Sequence, residues 1–441
     1  MPHATYHFPP DFHWGVATAA HQVEGDNTNN QWWQWERQSG RIAEGHTSGM
    51  ACNWWEDAEA DFDRAAAMNL DTVRLSLEWS RIEVAPGHID TGALDRYVAM
   101  VQALLDRGIE PMVTLHHFSD PIWFADMGGW TSPNAVPYFT RFVEQVIPAL
   151  RDYVTLWCTI NEPTVYAYMG YLAGVFPPGR HDFKAATTVI RNMLKAHAAA
   201  YKRIHQYQAD AQVGLAHHLR IFDPARPRNP LDRLVAWAQD MSMNTSVLRA
   251  IWDGWWLPPL GFGPALATRR TLDWIGLNYY TRDRVIFDRA ARAEAFGRSV
   301  VAEDAEMMDG DYGELYPKGI ARALKRLSRL EIPIHITENG IPDRDDDQRP
   351  RALLQHLHQV WRVLQQNVRV ASYYHWTLTD NFEWAEGWTL RFGLIELDPE
   401  TQERDPRLSA DLYAAVAGGN AITSEVVNAY APSLKPELYP G

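Results

Sequence analysis

Cysteine is nearly absent: Cys52 and Cys158 are the only two in 441 residues. Two cysteines give neither a disulfide framework nor a thiolate-based metal site. Cys158 sits in an apolar run and reads as a small buried hydrophobe. Excess positive charge is also missing. A net charge of −14, with the basic residues scattered, excludes nucleic acid or an anionic membrane surface as the main partner. No glycine-rich phosphate loop of the Walker or dinucleotide type occurs. The amino terminus, Met-Pro-His-Ala-Thr-Tyr-His-Phe, has no basic start followed by an apolar run. No secretory signal is expected from it, and a soluble cytoplasmic protein is the default reading. The longest uncharged stretch, 163–179, is broken by glycine and proline and rich in tyrosine, so it reads as a loop with aromatic contacts rather than a membrane span.

What is present points to a large α/β protein. Hydrophobic residues make up 46% of the chain, enough for a sizeable core, and no segment has a disordered composition. The 19 Trp and 18 Tyr are a high aromatic load, and flat rings suit the C–H faces of pyranose sugars as well as a core. Eight short strand-like runs recur at 14–19, 72–79, 112–117, 156–160, 213–217, 274–280, 334–337 and 370–376. Helical patterns follow at 54–68, 93–107, 133–151, 185–207, 231–253, 319–330 and 350–366, with a last one near 409–417. This alternation predicts a closed parallel (β/α)8 barrel with extended loops at the carboxyl ends of its strands. Length alone would suggest two or three domains, but such barrels can exceed 400 residues, and the whole chain, 1–441, is read as one catalytic domain. An open doubly wound sheet would carry a glycine-rich turn after an early strand, and none is visible. Two connections are long for a barrel. Segment 282–316 is expected to build a rim or lid over the mouth, and the charge run 343–349 reads as a solvated loop.

Two carboxylates stand out against this frame. Glu162 lies in Thr-Ile-Asn161-Glu162-Pro163 and Glu338 in Ile-Thr-Glu338-Asn339-Gly340, each closing a short apolar run before a chain-breaking residue. Both therefore belong at strand carboxyl ends, where α/β barrels keep their chemistry. Two acids so placed suit glycoside hydrolysis: one protonates the leaving oxygen and one meets the developing oxocarbenium ion.

The other strand ends carry His21-Gln22-Val-Glu24, Arg74-Leu-Ser76-Leu-Glu78-Trp79-Ser-Arg81, His116-His117, Asn278-Tyr279-Tyr280, and His375-Trp376 followed by Asp380-Asn381-Phe382-Glu383-Trp384. Amides, imidazoles, carboxylates and tryptophan converging on one mouth describe a pocket for a polyhydroxylated ring. Arg74 and Arg81 have a plainer reading, as ion-pair partners of Glu78 or Glu83. His117 with Glu162 and Glu338 could also be read as a metal site, but no His-x-x-x-His spacing joins His117 to a second imidazole, so no metal or cofactor is called for.

Taken together these segments resemble glycoside hydrolase family 1, the retaining β-glucosidase and β-glycosidase group, over nearly the whole chain. The resemblance rests on 12–25 around Trp14, His21, Gln22 and Glu24, on Arg74 to Ile82, on Asn161-Glu162-Pro163, on Gly276 to Thr281, on Ile336 to Gly340, and on Asp380 to Trp384 with Arg391-Phe392-Gly393. It implies Glu162 as general acid/base and Glu338 as nucleophile. Gln22, His117, Asn161, Glu383 and Trp384 would bind the hydroxyls of the glycone, with Asn161 on the 2-hydroxyl and Trp376 as the platform under the ring. Arg74 and Tyr280 would partner the nucleophile, Asn278 would support the site from behind, and Phe392 would stand at the far wall. In a retaining enzyme the two carboxyl groups lie roughly 5–5.5 Å apart. Glu338 must be anionic to attack, which Arg74 and Tyr280 favour, while its charge favours keeping a proton on Glu162. The expected partners are small β-glycosides or short oligosaccharides.

Departures from the family pattern narrow the reading. Thr164 stands where many members carry tryptophan, so one aromatic wall of the leaving-group subsite is expected to be missing. Members acting on phosphorylated sugars usually replace the glutamate at the position of Glu383, which this chain keeps, and no cation follows before Trp388. A non-catalytic sugar-binding relative would usually lack one of the two carboxylates. A transglycosylase on the same catalytic pair is the enzymatic alternative.

Overall fold

The computed structural model describes residues 4–291 and 296–439. The first three residues of the amino terminus, and 292–295 within the long segment 282–316, lie outside the described residues. Eight strands form the barrel: β1 (His13–Ala17), β2 (Thr72–Ser76), β3 (Glu110–Thr114), β4 (Leu156–Asn161), β5 (Gln212–His218), β6 (Trp274–Asn278), β7 (Ile334–Asn339) and β8 (Val370–Trp376). Each pairs in parallel with its sequence neighbours, and β8 closes on β1 through the register Ser372↔His13 to Trp376↔Ala17. All eight expected strands are present. They are almost wholly buried because helices cover their outer face and packed side chains fill the inside, which is why they read as apolar runs rather than as alternating patterns.

Helices pack outside, from Trp54–Ala67 and Thr91–Asp106 through Ala135–Leu150, Phe183–Tyr207, Lys318–Leu327 and Arg349–Leu364 to Leu408–Gly419. No helix among the described residues is long and apolar enough to cross a membrane.

Four local expectations are corrected. The stretch 163–179 begins as a helix, Pro163–Tyr171, with Pro163 in the first turn where its missing N–H costs nothing. It carries no polar face to mark it as a helix: its inner side is core and its outer side borders a cavity. The expected helix 231–253 runs regularly only over Pro230–Asp240, then passes through π-helical turns at Met241–Thr245 and Arg249–Asp253. Such turns gather near functional sites, and Ser242 and Met243 do border the cavity described below. The run 343–349 is a loop up to Gln348 but only partly solvated, with Arg344, Asp345 and Asp347 exposed. Asp343, Asp346 and Arg349 are buried, Arg349 pairs with Asp346, and Asp343 caps the backbone of Gln348 and Arg349. Opposite charges within one run can neutralise one another inside the protein, which a count of charges does not reveal. Finally, Arg81 pairs with Glu24 at 2.8 Å, Glu83 with Arg141, and Glu78 accepts from Ser80 and Ser119.

Segment 282–316 does form part of the rim. Arg282–Phe287 and Gly297–Val300 pair as a hairpin, and the first runs parallel to Ile221–Pro224 to make a three-stranded sheet. Asp283, Gly297, Ser299 and Tyr312 from this segment border the cavity.

Candidate active site

Glu162 and Glu338 come to the mouth by the same local device, the end of a buried strand. Glu162 follows β4 directly, its amide donating to the Ala216 carbonyl of β5 at 2.9 Å. Its φ of 46° is left-handed, an uncommon state for a residue with a side chain. Backbones are held in such states where a site over-determines them. Glu338 is inside β7, and its carbonyl accepts from the amide of Tyr279 at 3.0 Å. Just beyond it, a Cβ on Gly340 would lie 2.0 Å from the Trp376 carbonyl oxygen, so this close approach of β7 to β8 requires glycine.

A chain of hydrogen bonds joins the two acids. Arg74, fully buried on β2, donates from one nitrogen to Glu338 Oε1 and from another to Asn161 Oδ1, both at 2.6 Å. Asn278 Nδ2 donates to the same Asn161 oxygen at 3.1 Å and to Glu162 Oε1 at 2.7 Å. Asn278 is itself fixed by the Thr337 hydroxyl, which donates to its Oδ1 at 2.6 Å. The Tyr280 hydroxyl donates to Glu338 Oε2 at 2.7 Å. Glu338 thus receives a guanidinium and a phenol on opposite oxygens, which stabilises its anion.

Burial and the neighbouring Glu162 charge push Glu338 up, to about 7, while Arg74 and Tyr280 pull it down. Glu338 faces two strong donors, whereas Glu162 faces the Asn278 amide and an imidazole. Attack by Glu338 needs its anion, so kcat/KM is expected to fall as the pH drops below about 7 and Glu338 takes up a proton. A pH–rate profile on an aryl β-glycoside checks this, and activity that holds level well into the acid range would contradict it.

Aromatic rings and amides line the space in front of the acids. Trp376, His117 and Trp384 form a row of near-parallel rings, with His117 5.8 Å from Trp376 and 6.0 Å from Trp384. Burial and the Arg74 charge hold His117 well below the ordinary range, so it is a neutral imidazole. Its Nε2 accepts from Asn161 Nδ2 at 3.0 Å, and its Nδ1 is buried without a protein partner. Gln22 Nε2 donates to Asn381 Oδ1, the Phe382 carbonyl and Glu383 Oε2 at 2.9, 2.9 and 3.1 Å, and its own Oε1 is buried and unpartnered. Burial pushes Glu383 up to about 8, with Gln22 opposing and the Glu338 charge adding.

The cavity in front of these groups measures about 670 Å³. His117, Asn161, Glu162, Tyr280, Glu338, Trp376, Glu383 and Trp384 all border it. Gln22, Arg74 and Asn278 stand behind that layer and hold it. Phe392 does not reach the far wall: it is buried against Tyr280 at 6.2 Å and Tyr312 at 5.3 Å, so it braces the tyrosine that holds Glu338. Thr164 is also absent from the wall. It is fully buried, and Val165, Tyr168 and Met169 form that side instead.

Two residues escaped the sequence reading. His218 ends β5, places Nδ1 3.2 Å from Glu162 Oε1, and stacks on Tyr280 with 5.8 Å between ring centres. The fifth strand extends one residue past its expected end, and a strand-end imidazole beside a strand-end acid was the available signal. Tyr312, in segment 282–316, has its hydroxyl pushed well up by burial and then by the charges of Glu383 and Glu162. Nothing local in the sequence marks it.

A model of glycosyl hydrolase family 1 matches residues 4–258 and 264–422. The chain belongs to glycosyl hydrolase family 1. Beta-glucosidase A of Thermotoga maritima is 30% identical over 94% of this chain and 98% of its own length. A beta-glycosidase structure from Pyrococcus horikoshii, 36% identical, superposes with a TM-score of 0.90 over 97% of this chain and 98% of that one. The Thermotoga maritima beta-glucosidase in complex with glucoimidazole, 29% identical, also gives 0.90, covering 95% of this chain and all of that one. This family 1 member is therefore a glycosyl hydrolase on a closed (β/α)8 barrel, with its paired acids at the barrel mouth.

Proposed function

We propose that this family 1 enzyme is a retaining, exo-acting β-glucosidase that removes terminal non-reducing β-D-glucosyl units and also accepts β-fucosides and β-galactosides. The observation that carries the reading is the buried, hydrogen-bonded pair Glu338 and Glu162, the first held by Arg74 and Tyr280 and the second by Asn278.

In the first step Glu338 attacks the anomeric carbon while Glu162 gives its proton to the leaving oxygen, forming a covalent glycosyl ester. The ester removes the negative charge that kept the proton on Glu162. Glu162 is then left as a carboxylate, ready to take a proton from the incoming water. Two inversions return the product with the starting configuration.

For the glycone, the row Trp376, His117 and Trp384 offers flat faces to the ring. His117 Nδ1, a polar atom at the cavity without a protein partner, suits a sugar hydroxyl, and Gln22 from behind holds Glu383 in place. Glu383, whose carboxyl burial pushes up to about 8, borders the same space and suits a sugar hydroxyl. Asn161, held between Arg74 and Asn278, would meet the 2-hydroxyl. The cavity suits small glycosides or short oligosaccharides, and the reading includes a cytoplasmic enzyme of one catalytic domain.

Proton NMR of the first product from an aryl β-D-glucoside tests the mechanism: β-D-glucose should appear before mutarotation, and an α-anomer would overturn the reading. Rates on the matching β-galactoside and β-fucoside then rank the glycones.

A further inference from the structure

The two oxygens of Glu338 give the glycone space a direction. Oε1 is held by Arg74, which also holds Asn161, the partner proposed for the 2-hydroxyl. Oε2 is held by Tyr280 on the other side. In a pyranose the anomeric carbon has C2 on one side and the ring oxygen on the other, and the ring oxygen leads to C5 and its hydroxymethyl group. With C2 turned to Asn161, the C5 edge is turned to Tyr280.

Tyr312 occupies that edge. Its ring lies 5.9 Å from Tyr280 and 5.3 Å from Phe392 between centres, and it borders the cavity while Phe392 stands behind it. The chain is closely seated here. The Met308 amide donates to the Gly313 carbonyl at 3.0 Å, the Thr281 hydroxyl donates to the Glu314 carbonyl at 2.7 Å, and a Cβ on Gly313 would lie 2.6 Å from Thr281 Oγ1. Tyr312 also packs against the small cluster of Met308, Leu315 and Ile341. Among the described residues its hydroxyl has no hydrogen-bond partner, so it is free to meet a ligand. After burial, the charges of Glu383 and then Glu162 raise that hydroxyl most, which sets it within the field of both.

We infer that Tyr312 is a specificity-determining residue whose hydroxyl binds the 6-hydroxyl of the glycone. The inference rests on the β-glucosidase reading and extends it to the exocyclic carbon.

The test compares 4-nitrophenyl β-D-glucoside with its 6-deoxy counterpart, which differ by that one hydroxyl. Tyr312→Phe keeps the ring and its packing and removes only the phenol oxygen. On the glucoside kcat/KM should fall by roughly three- to tenfold, the worth of one hydrogen bond between uncharged groups. On the 6-deoxy glucoside it should fall by less than about twofold. The β-D-galactoside and β-D-fucoside, the same pair in the galacto configuration, should repeat the split. Because each ratio is taken within one preparation, partial folding of the variant does not move it. A ratio unchanged from that of the parent enzyme overturns the inference and leaves the 6-hydroxyl to Glu383 or Glu386, which border the same cavity. Equal large losses on both members overturn it as well, since Tyr312 would then act through Tyr280 rather than on the sugar. No turnover of any of these glycosides overturns the β-glucosidase reading, and the inference with it.

Discussion

Glu338→Gly is expected to lose hydrolysis almost completely, and added azide is expected to restore turnover with an α-glycosyl azide as product. Removing a nucleophile that forms a covalent intermediate costs on the order of 10⁴ to 10⁶ in kcat, or about 5–8 kcal/mol of transition-state stabilisation. Glycine leaves space beside Arg74 and Tyr280, the two groups that hold the Glu338 carboxylate. An azide anion can occupy that space and attack from the face the carboxylate has vacated. Because a single displacement inverts the anomeric carbon, the azide product is α. Product anomer by NMR decides the matter, since a β-azide would exchange the roles of the two acids and undiminished activity would remove Glu338 from the chemistry.

Glu162→Ala should instead separate substrates by their need for a proton. On cellobiose or an alkyl glucoside, kcat/KM is expected to fall by about 10²- to 10⁴-fold, the usual worth of a positioned general acid. On 2,4-dinitrophenyl β-D-glucoside, whose phenolate leaves unaided, the same ratio should fall by less than about tenfold. Azide here meets an intact glycosyl ester on Glu338, and its attack, the second inversion, gives the β-azide. The opposite azide anomers from the two variants form a paired test that a general loss of folding cannot imitate. Equal losses on both substrates would exclude Glu162 as the acid.

Much of this was legible in the chain. A strand buried on both faces is a local property of its own residues, as in Leu156–Asn161, and so is a polar residue placed just past its end. That is why all eight barrel strands and both acids are legible in the chain itself. Local patterns failed where burial broke the expected periodicity. The helix Pro163–Tyr171 has a cavity where a surface helix has water, and Arg349 with Asp346 is an interior pair that reads as a surface charge run.

The sequence by itself determined the barrel, the two carboxylates and their order along the chain, because strand ends are set by neighbours a few residues away. Which groups meet at the mouth was decided only by closure of the sheet. Arg74 and Glu338 are 264 positions apart, and Arg74 also reaches Asn161, so one guanidinium from β2 braces groups on β4 and β7 across the barrel. The same closure put His218 beside Glu162 and withdrew Phe392 and Thr164 from the cavity wall. It also gathered side chains from separate elements into one cavity. Side-chain neighbours across a barrel depend on strand order and stagger, and no local run of residues encodes those.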